Sequence, residues 1–180
     1  MWSDNFPFYK QLDASDCGAT CLRMIARHYG RHYSLEYLRE VSYLDREGVS
    51  LMGISDAAEK IGFRTLGAKS GFSRLQENIP LPCIAHWKQN HFVVVYRIAN
   101  GKVFVADPAA GKIQLEEQEF LDGWISDVVN TEPQGILLLL ETTPEFFNRE
   151  GERVNRSGLR FLWTYLSQHN ILIRQLLFGL

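Results

Sequence analysis

Surplus charge of either sign is small: 19 Lys and Arg against 21 Asp and Glu leave a formal net charge of −2 over 180 residues. A nucleic-acid binder carries a basic stripe, and none is present. Cysteine is scarce, with three residues, an odd number in a chain too long to need disulfide staples. Cys17 and Cys21 are four apart, which is not a usual zinc spacing, and no second ligand pair stands nearby. A metal site is therefore not expected. Residues 1–10 hold no apolar stretch that would make a signal-peptide core. No run in the chain reaches the ~20 apolar residues of a membrane span. These absences point to free thiols in a reducing, cytosolic setting. Internal repeats and low-complexity tracts are also missing.

What is present is a core-forming composition, 46% hydrophobic, at a length that suits one domain with an appendage. Residues 1–10 are rich in aromatics (Trp2, Phe6, Phe8, Tyr9) and read as an extended segment lying against the body. A helix follows from Cys17: Leu22, Ile25, Ala26 and Tyr29 recur at spacings of three and four, and Gly30 supplies a stop. Asp16, or Asp13 before it, is placed to cap its start. Ser34 caps a short helix carrying Leu35, Leu38 and Val41. Asp45 to Gly48 reads as a turn, and Ser50 caps a third helix with Leu51, Ile54, Ala58 and Ile61 inward, closed by Gly62. Residues 54–63 resemble one helix of a helix-turn-helix. The residues after them alternate like a strand instead of forming a basic recognition helix, which argues against DNA.

From Phe63 the period changes to two. Strands are expected at Phe63–Lys69, Cys83–Trp87, His91–Ile98, Lys102–Asp107, Lys112–Leu115 and Gly135–Glu141, with Asn100-Gly101 as a hairpin turn. Short helices are expected at Phe72–Asn78 and Glu117–Trp124. The fold class is α+β: a helical N-terminal half and a C-terminal antiparallel sheet. Glu141 to Ser157 has linker composition, and Leu159 to Leu180 reads as an apolar helix that either packs back on the domain or leads toward a membrane.

Cys17 sits at a helix start, where unpaired amides and the positive end of the dipole favour an anion. Gln11, six residues earlier, is close enough to lend its amide to an oxyanion. Alone, Cys17 reads more readily as a small buried packing residue, and Gln11 as a surface residue. Thiol catalysis also needs a base and a group to orient it. His91 opens the strongest strand, and Asp107 ends its hairpin partner. Symmetric pairing about the Asn100-Gly101 turn makes residue numbers sum to 201, leaving Asp107 three residues out of register with His91; a twist or bulge has to close that gap. Asp107 before Pro108 is also an ordinary turn starter. His86 is the competing base, although its neighbours suit a strand interior. His28 and His32 belong to a helix end, His169 to the tail, and Cys21 and Cys83 to the core. The order glutamine, cysteine, histidine, then asparagine or aspartate is that of papain-like enzymes.

Three stretches carry a more specific likeness: residues 11–22 (QLDASDCGATCL), 90–94 (NHFVV) and 105–111 (VADPAAG). In sequence and spacing they resemble the bacteriocin-processing, double-glycine leader peptidase family, the N-terminal cysteine protease domain of peptidase-containing ABC transporters. The resemblance spans about residues 6–145. It implies a papain-like fold with Cys17 as nucleophile, His91 as base, Asp107 as orienting carboxylate and Gln11 as oxyanion donor, all four matching the family pattern. It further implies a peptidase domain at 1–145, a linker at 146–158, and an amphipathic helix at 159–180 leading toward a transmembrane domain. The implied substrate is a precursor peptide whose amphipathic helical leader ends in Gly-Gly or Gly-Ala. The implied partners are the transporter's transmembrane and nucleotide-binding domains, at the cytoplasmic face of a bacterial inner membrane. No cofactor is implied for the peptidase domain; ATP and Mg belong to the nucleotide-binding domain. Two rivals stay open on the residues alone: another papain-like thiol enzyme, such as an amidase or transglutaminase, and a non-cleaving leader-docking module.

Overall fold

The computed structural model describes residues 5–42, 49–129 and 131–149. Its first third is helical. A 3-10 turn, Ala14–Asp16, runs directly into α1 (Cys17–His28), followed by α2 (Leu35–Val41) and α3 (Leu51–Lys60). Ser34 and Ser50 cap α2 and α3 as their sequence positions imply, accepting from the amides of Tyr37 (3.1 Å) and Gly53 (3.0 Å). Gly62 ends α3 with φ of 98°, a conformation that glycine adopts without steric cost.

The rest is a sheet with three short helices. The elements in order are β1 (Phe63–Ser70), α4 (Phe72–Asn78), β2 (Cys83–Trp87), β3 (His91–Ala99), β4 (Lys102–Asp107), β5 (Gly111–Glu116), α5 (Glu117–Trp124), β6 (Ile125–Val129), β7 (Glu132–Thr142) and α6 (Pro144–Asn148). The strands pair antiparallel in the order β1-β7-β2-β3-β4-β5, with β6 alongside the start of β7. Asn100 and Gly101, at φ of 55° and 73°, make the tight turn between β3 and β4.

Alternation along the central strands sorts side chains into two cores. Ile84, Phe92, Val94, Ala106 and Leu138 join α1, α2 and α3 on one face of the sheet. Cys83, Ala85, Val93, Val95, Val105 and Leu137 join α4 and α5 on the other, around Phe120 and Trp124. Burying both faces explains why β3 and β7 read as continuous apolar runs.

Three sequence expectations change. Asp16 does not cap α1 with its side chain; a nearby cation holds its carboxylate instead. Ile125–Val129 forms a strand, β6, that its mixed composition did not signal. The linker expected from residue 146 starts inside α6: Thr143 accepts from the Phe146 amide (3.4 Å), Pro144 fills the first turn, and Phe146 is buried against Phe63 at 4.4 Å between ring centroids. A Thr-Pro pair there is a helix start rather than a spacer. The turn at 45–48, the rest of the linker and the helix at 159–180 lie outside the described residues. Among the described residues no helix is long and apolar enough to cross a membrane, and no cluster of three or more metal-ligating side chains occurs.

Candidate active site

Helix α1 is fixed against β3 by packing and by one unusual bond. The Cys21 thiol, fully buried, donates to the carbonyl of Phe92 at 3.3 Å. One turn back along α1 is Cys17; one residue back along β3 is His91. The tether therefore sets the start of the helix beside the start of the strand. Cys17 is 5% exposed, and its sulfur stands close enough to the His91 ring to strengthen that ring's hold on a proton.

His91 completes the link to Asp107, whose Oδ1 lies 2.8 Å from His91 Nε2. That leaves Nδ1 as the ring nitrogen for the sulfur. The same Asp107 oxygen accepts from the amides of Ala109 (2.8 Å) and Ala110 (3.4 Å). Asp107 is thus both a turn starter and the carboxylate that holds the imidazole.

Register explains how these two meet. Near the turn the β3–β4 pairs sum to 201, as with Ile98 and Val103, but beyond a bulge at Tyr96 they sum to 200, as with Val94 and Ala106. One further step sets Val93 opposite Asp107. His91 is then two residues from direct register instead of three, on the same side of the hairpin as Asp107 and within diagonal reach. The bulge residue is pinned by Phe6, whose ring stacks on Tyr96 at 4.7 Å and 7°.

Electrostatics follow from this geometry. Burial acts against a charge on His91, but the bonds to Asp107 and to the Cys17 sulfur outweigh it and push the imidazole up to about 9. Burial acts against the Asp107 charge too; the His91 bond and the Ala109 and Ala110 amides still hold it below the ordinary carboxylate value. The other thiols are chemically silenced: burial pushes Cys83 up to about 12 and raises Cys21 well above an ordinary thiol.

Gln11 is tied to the same corner. Its amide nitrogen donates to the carbonyl of Pro108 at 3.0 Å, so the residue next to Asp107 anchors it. Its side-chain Oε1 is buried without a hydrogen-bond partner. His86 has a different place. Its ring packs on Phe92 at 5.2 Å, and burial lowers its imidazole, partly offset by a backbone bond at Gln89. It lines a groove of about 420 Å³ with Val49, Leu51, Asn90, Phe92 and Ile136. Asn90 and Phe92 flank His91 in the chain, and none of the four candidate residues lines this groove. A second cavity, about 500 Å³, lies over β1 and β7 with Tyr29, Leu66, Pro80 and Leu139 in its walls, and none of the four candidate residues lines it.

Residue reading did not find the Tyr96 bulge, the Cys21 tether or the cation that holds Asp16. None has a sequence signature, since each depends on elements packed from distant parts of the chain.

Comparisons with known proteins agree with this corner of the fold. The lactococcin-G-processing and transport ATP-binding protein LagD of Lactococcus lactis subsp. lactis is 40% identical over 129 residues, covering 69% of this chain and 18% of LagD. The colicin V secretion/processing ATP-binding protein CvaB of Escherichia coli is 33% identical over 118 residues, covering 66% of this chain and 17% of CvaB. The chain thus spans under a fifth of the length of these relatives. Among solved structures, a double glycine motif protease from an AMS/PCAT transporter, in complex with the leader peptide, superposes with a TM-score of 0.68 at 28% identity, covering 76% of this chain and 91% of that one. The peptidase domain of Streptococcus ComA, a bi-functional ABC transporter involved in a quorum sensing pathway, gives 0.65 at 29% identity, covering 77% and 99%. The fold is therefore the papain-like α+β fold of these peptidase domains. The model of the Peptidase C39 family matches residues 5–135, and the chain belongs to that family.

Proposed function

We propose that this domain is a cysteine endopeptidase that removes the leader from precursor peptides after a Gly-Gly or Gly-Ala junction, as part of an ABC-type peptide exporter. The observation that carries the reading is the chain of contacts Cys17–His91–Asp107 at the start of α1. In this reading Cys17 is the nucleophile and attacks the carbonyl of the last leader residue. His91 holds the thiol proton and delivers it to the leaving amine. Asp107 keeps the ring oriented and stabilises its charge. The Gln11 amide and the Cys17 backbone N–H stabilise the oxyanion, each donor contributing roughly 3 kcal/mol. Water then frees the leader from the sulfur.

In this reading the groove that His86 lines takes the residues on the leader side of the junction. Leu51, Val49, Phe92 and Ile136 give it apolar walls, which suit an amphipathic leader. Small residues at the junction fit a thiol that is only 5% exposed, because a side chain there would block the carbonyl from reaching the sulfur. The parent protein would supply the transmembrane and nucleotide-binding domains, placing this domain at the cytoplasmic face of the membrane, and ATP and Mg would be needed only by the nucleotide-binding domain.

Two measurements on Cys17→Ala test the reading: leader affinity by titration and cleavage by mass spectrometry. Binding without cleavage is expected, while the unmodified domain both binds and cuts. Leader binding with no cleavage by either form would make the domain a docking module.

A further inference from the structure

The residue before Cys17 carries a fully buried carboxylate that the mechanism above does not use. Asp16 accepts from Arg39 Nε at 2.7 Å and from Arg39 Nη2 at 2.5 Å, a two-pronged contact from α2. It also accepts from the Asp13 amide at 2.8 Å, closing the 3-10 turn that leads into α1. The Asp16 side chain is 0% exposed and that of Arg39 is 28% exposed, so the guanidinium is the lid over the carboxylate. The outer carboxylate of Asp13 stands 4.0 Å from Arg39.

A carboxylate next to a nucleophilic sulfur is a liability, because like charges oppose the anionic thiol. Bidentate guanidinium contact cancels that charge and fixes its geometry together. The turn being locked is the arc between Gln11 and Cys17, the two ends of the oxyanion site. We propose that Arg39 is a positioning residue for Cys17: by neutralising and clamping Asp16 it cancels a negative charge adjacent to the thiol in the chain and holds the Gln11–Cys17 arc in register. The catalytic part of this inference rests on the cleavage reading above; the effect on the thiol does not.

The ionisable groups tied to Cys17 are His91 from β3, with Asp107 behind it from the end of β4, and Cys21 one turn along α1; next to it in the chain comes the Asp16–Arg39 pair, with Asp13 at its edge. Only the last is altered in the test. The rate of Cys17 alkylation by iodoacetamide is followed against pH for the unmodified domain, Arg39→Met, Asp16→Asn and the double variant, alongside thermal melts. Arg39→Met opens Asp16 to water as an unpaired anion, so the alkylation profile moves up by about one pH unit. Asp16→Asn keeps the shape of the contact but leaves the cation, so the profile moves down. The double variant returns the profile to its original place although its melting temperature stays lowered. With a precursor peptide, Arg39→Met lowers kcat about tenfold near neutral pH with KM unchanged.

Profiles that coincide in folded Arg39→Met and Asp16→Asn, or that move the same way, would overturn the proposal and leave the pair as a structural clamp only. If Arg39→Met does not fold, Asp16→Asn decides alone: an unmoved profile overturns the proposal. Absence of cleavage by the unmodified domain would count against the peptidase reading, while the alkylation profiles would still test the role of Arg39.

Discussion

Asp107 stands diagonal to His91 across the hairpin, and the single extra residue at Tyr96 in β3 puts the two on one side. Had the pairing run on at a sum of 201, the offset would be three, an odd number, and the carboxylate would face away from the ring. Inserting one residue between Val94 and Val95 restores that odd offset and should cut kcat by about 10²-fold or more, the scale of losing an oriented base. Tyr96→Ala keeps the register and loses ring contacts with Phe6 and Phe104, so it should retain most activity. Imidazole titration by NMR checks the cause: the raised His91 value should persist in Tyr96→Ala and vanish in the insertion.

The His91 value sets the alkaline limit. In the proposed mechanism its proton goes to the leaving amine, so cleavage should fall as pH rises through about 9. Asp107→Asn removes the carboxylate's support, and the limb should move down toward the ordinary histidine value of 6.5. A pH profile of kcat/KM for both proteins reads this directly.

Stability follows the same groups. The His91 value is raised on folding, so its pairing stabilises the fold fully below 6.5 and the contribution is lost as pH rises through about 9. Asp107 has the opposite sign: its value is lowered, so its contribution is present above 3.8 and is lost as pH falls through the lowered value. The melting temperature of His91→Gln should lie below that of the unmodified domain near about pH 6 and converge with it near about pH 10.

Gly18, directly after Cys17, leaves no room for a side chain. An added Cβ would stand 2.6 Å from Ile54 Cδ1 and would also meet Val49 Cγ1. Gly18→Ala should destabilise the domain by about 1–3 kcal/mol, as overpacking does, and push the start of α1 away from α3. Urea unfolding gives the first effect, and a loss of cleavage larger than the stability change explains gives the second.

Gln11→Ala should lower kcat by about 10²-fold with little change in KM, since in the proposed mechanism its bond forms only at the tetrahedral stage. Its backbone bond to Pro108 is retained in that variant, so the melting temperature should barely change.

Much of this was legible because local chemistry and tertiary context agree. Ser34 and Ser50 cap where they stand, Asn100-Gly101 turns as its residue types require, and alternation marks β3 and β4. The helix containing Cys17 begins where expected because its apolar spacing matches the sheet it packs on. Of the two expected caps, Asp13 starts the 3-10 turn that leads into α1, while Asp16 does not cap α1 because its carboxylate is held by Arg39, 23 residues on, and by the Asp13 amide. Thr143-Pro144 looked like a spacer because composition does not reveal that Phe146 finds a pocket against Phe63 and Tyr29. The His91–Asp107 contact could be proposed but not placed, since a bulge costs one residue and leaves no mark in the pattern.

The most direct test is a mass balance. A precursor peptide ending its leader in Gly-Gly is incubated with the domain, with and without prior alkylation of Cys17, and the products are weighed. Two fragments whose masses sum to the precursor plus one water, absent after alkylation, are the expected result. An intact precursor beside a freely reactive thiol, or a product that has lost ammonia, would contradict the assignment.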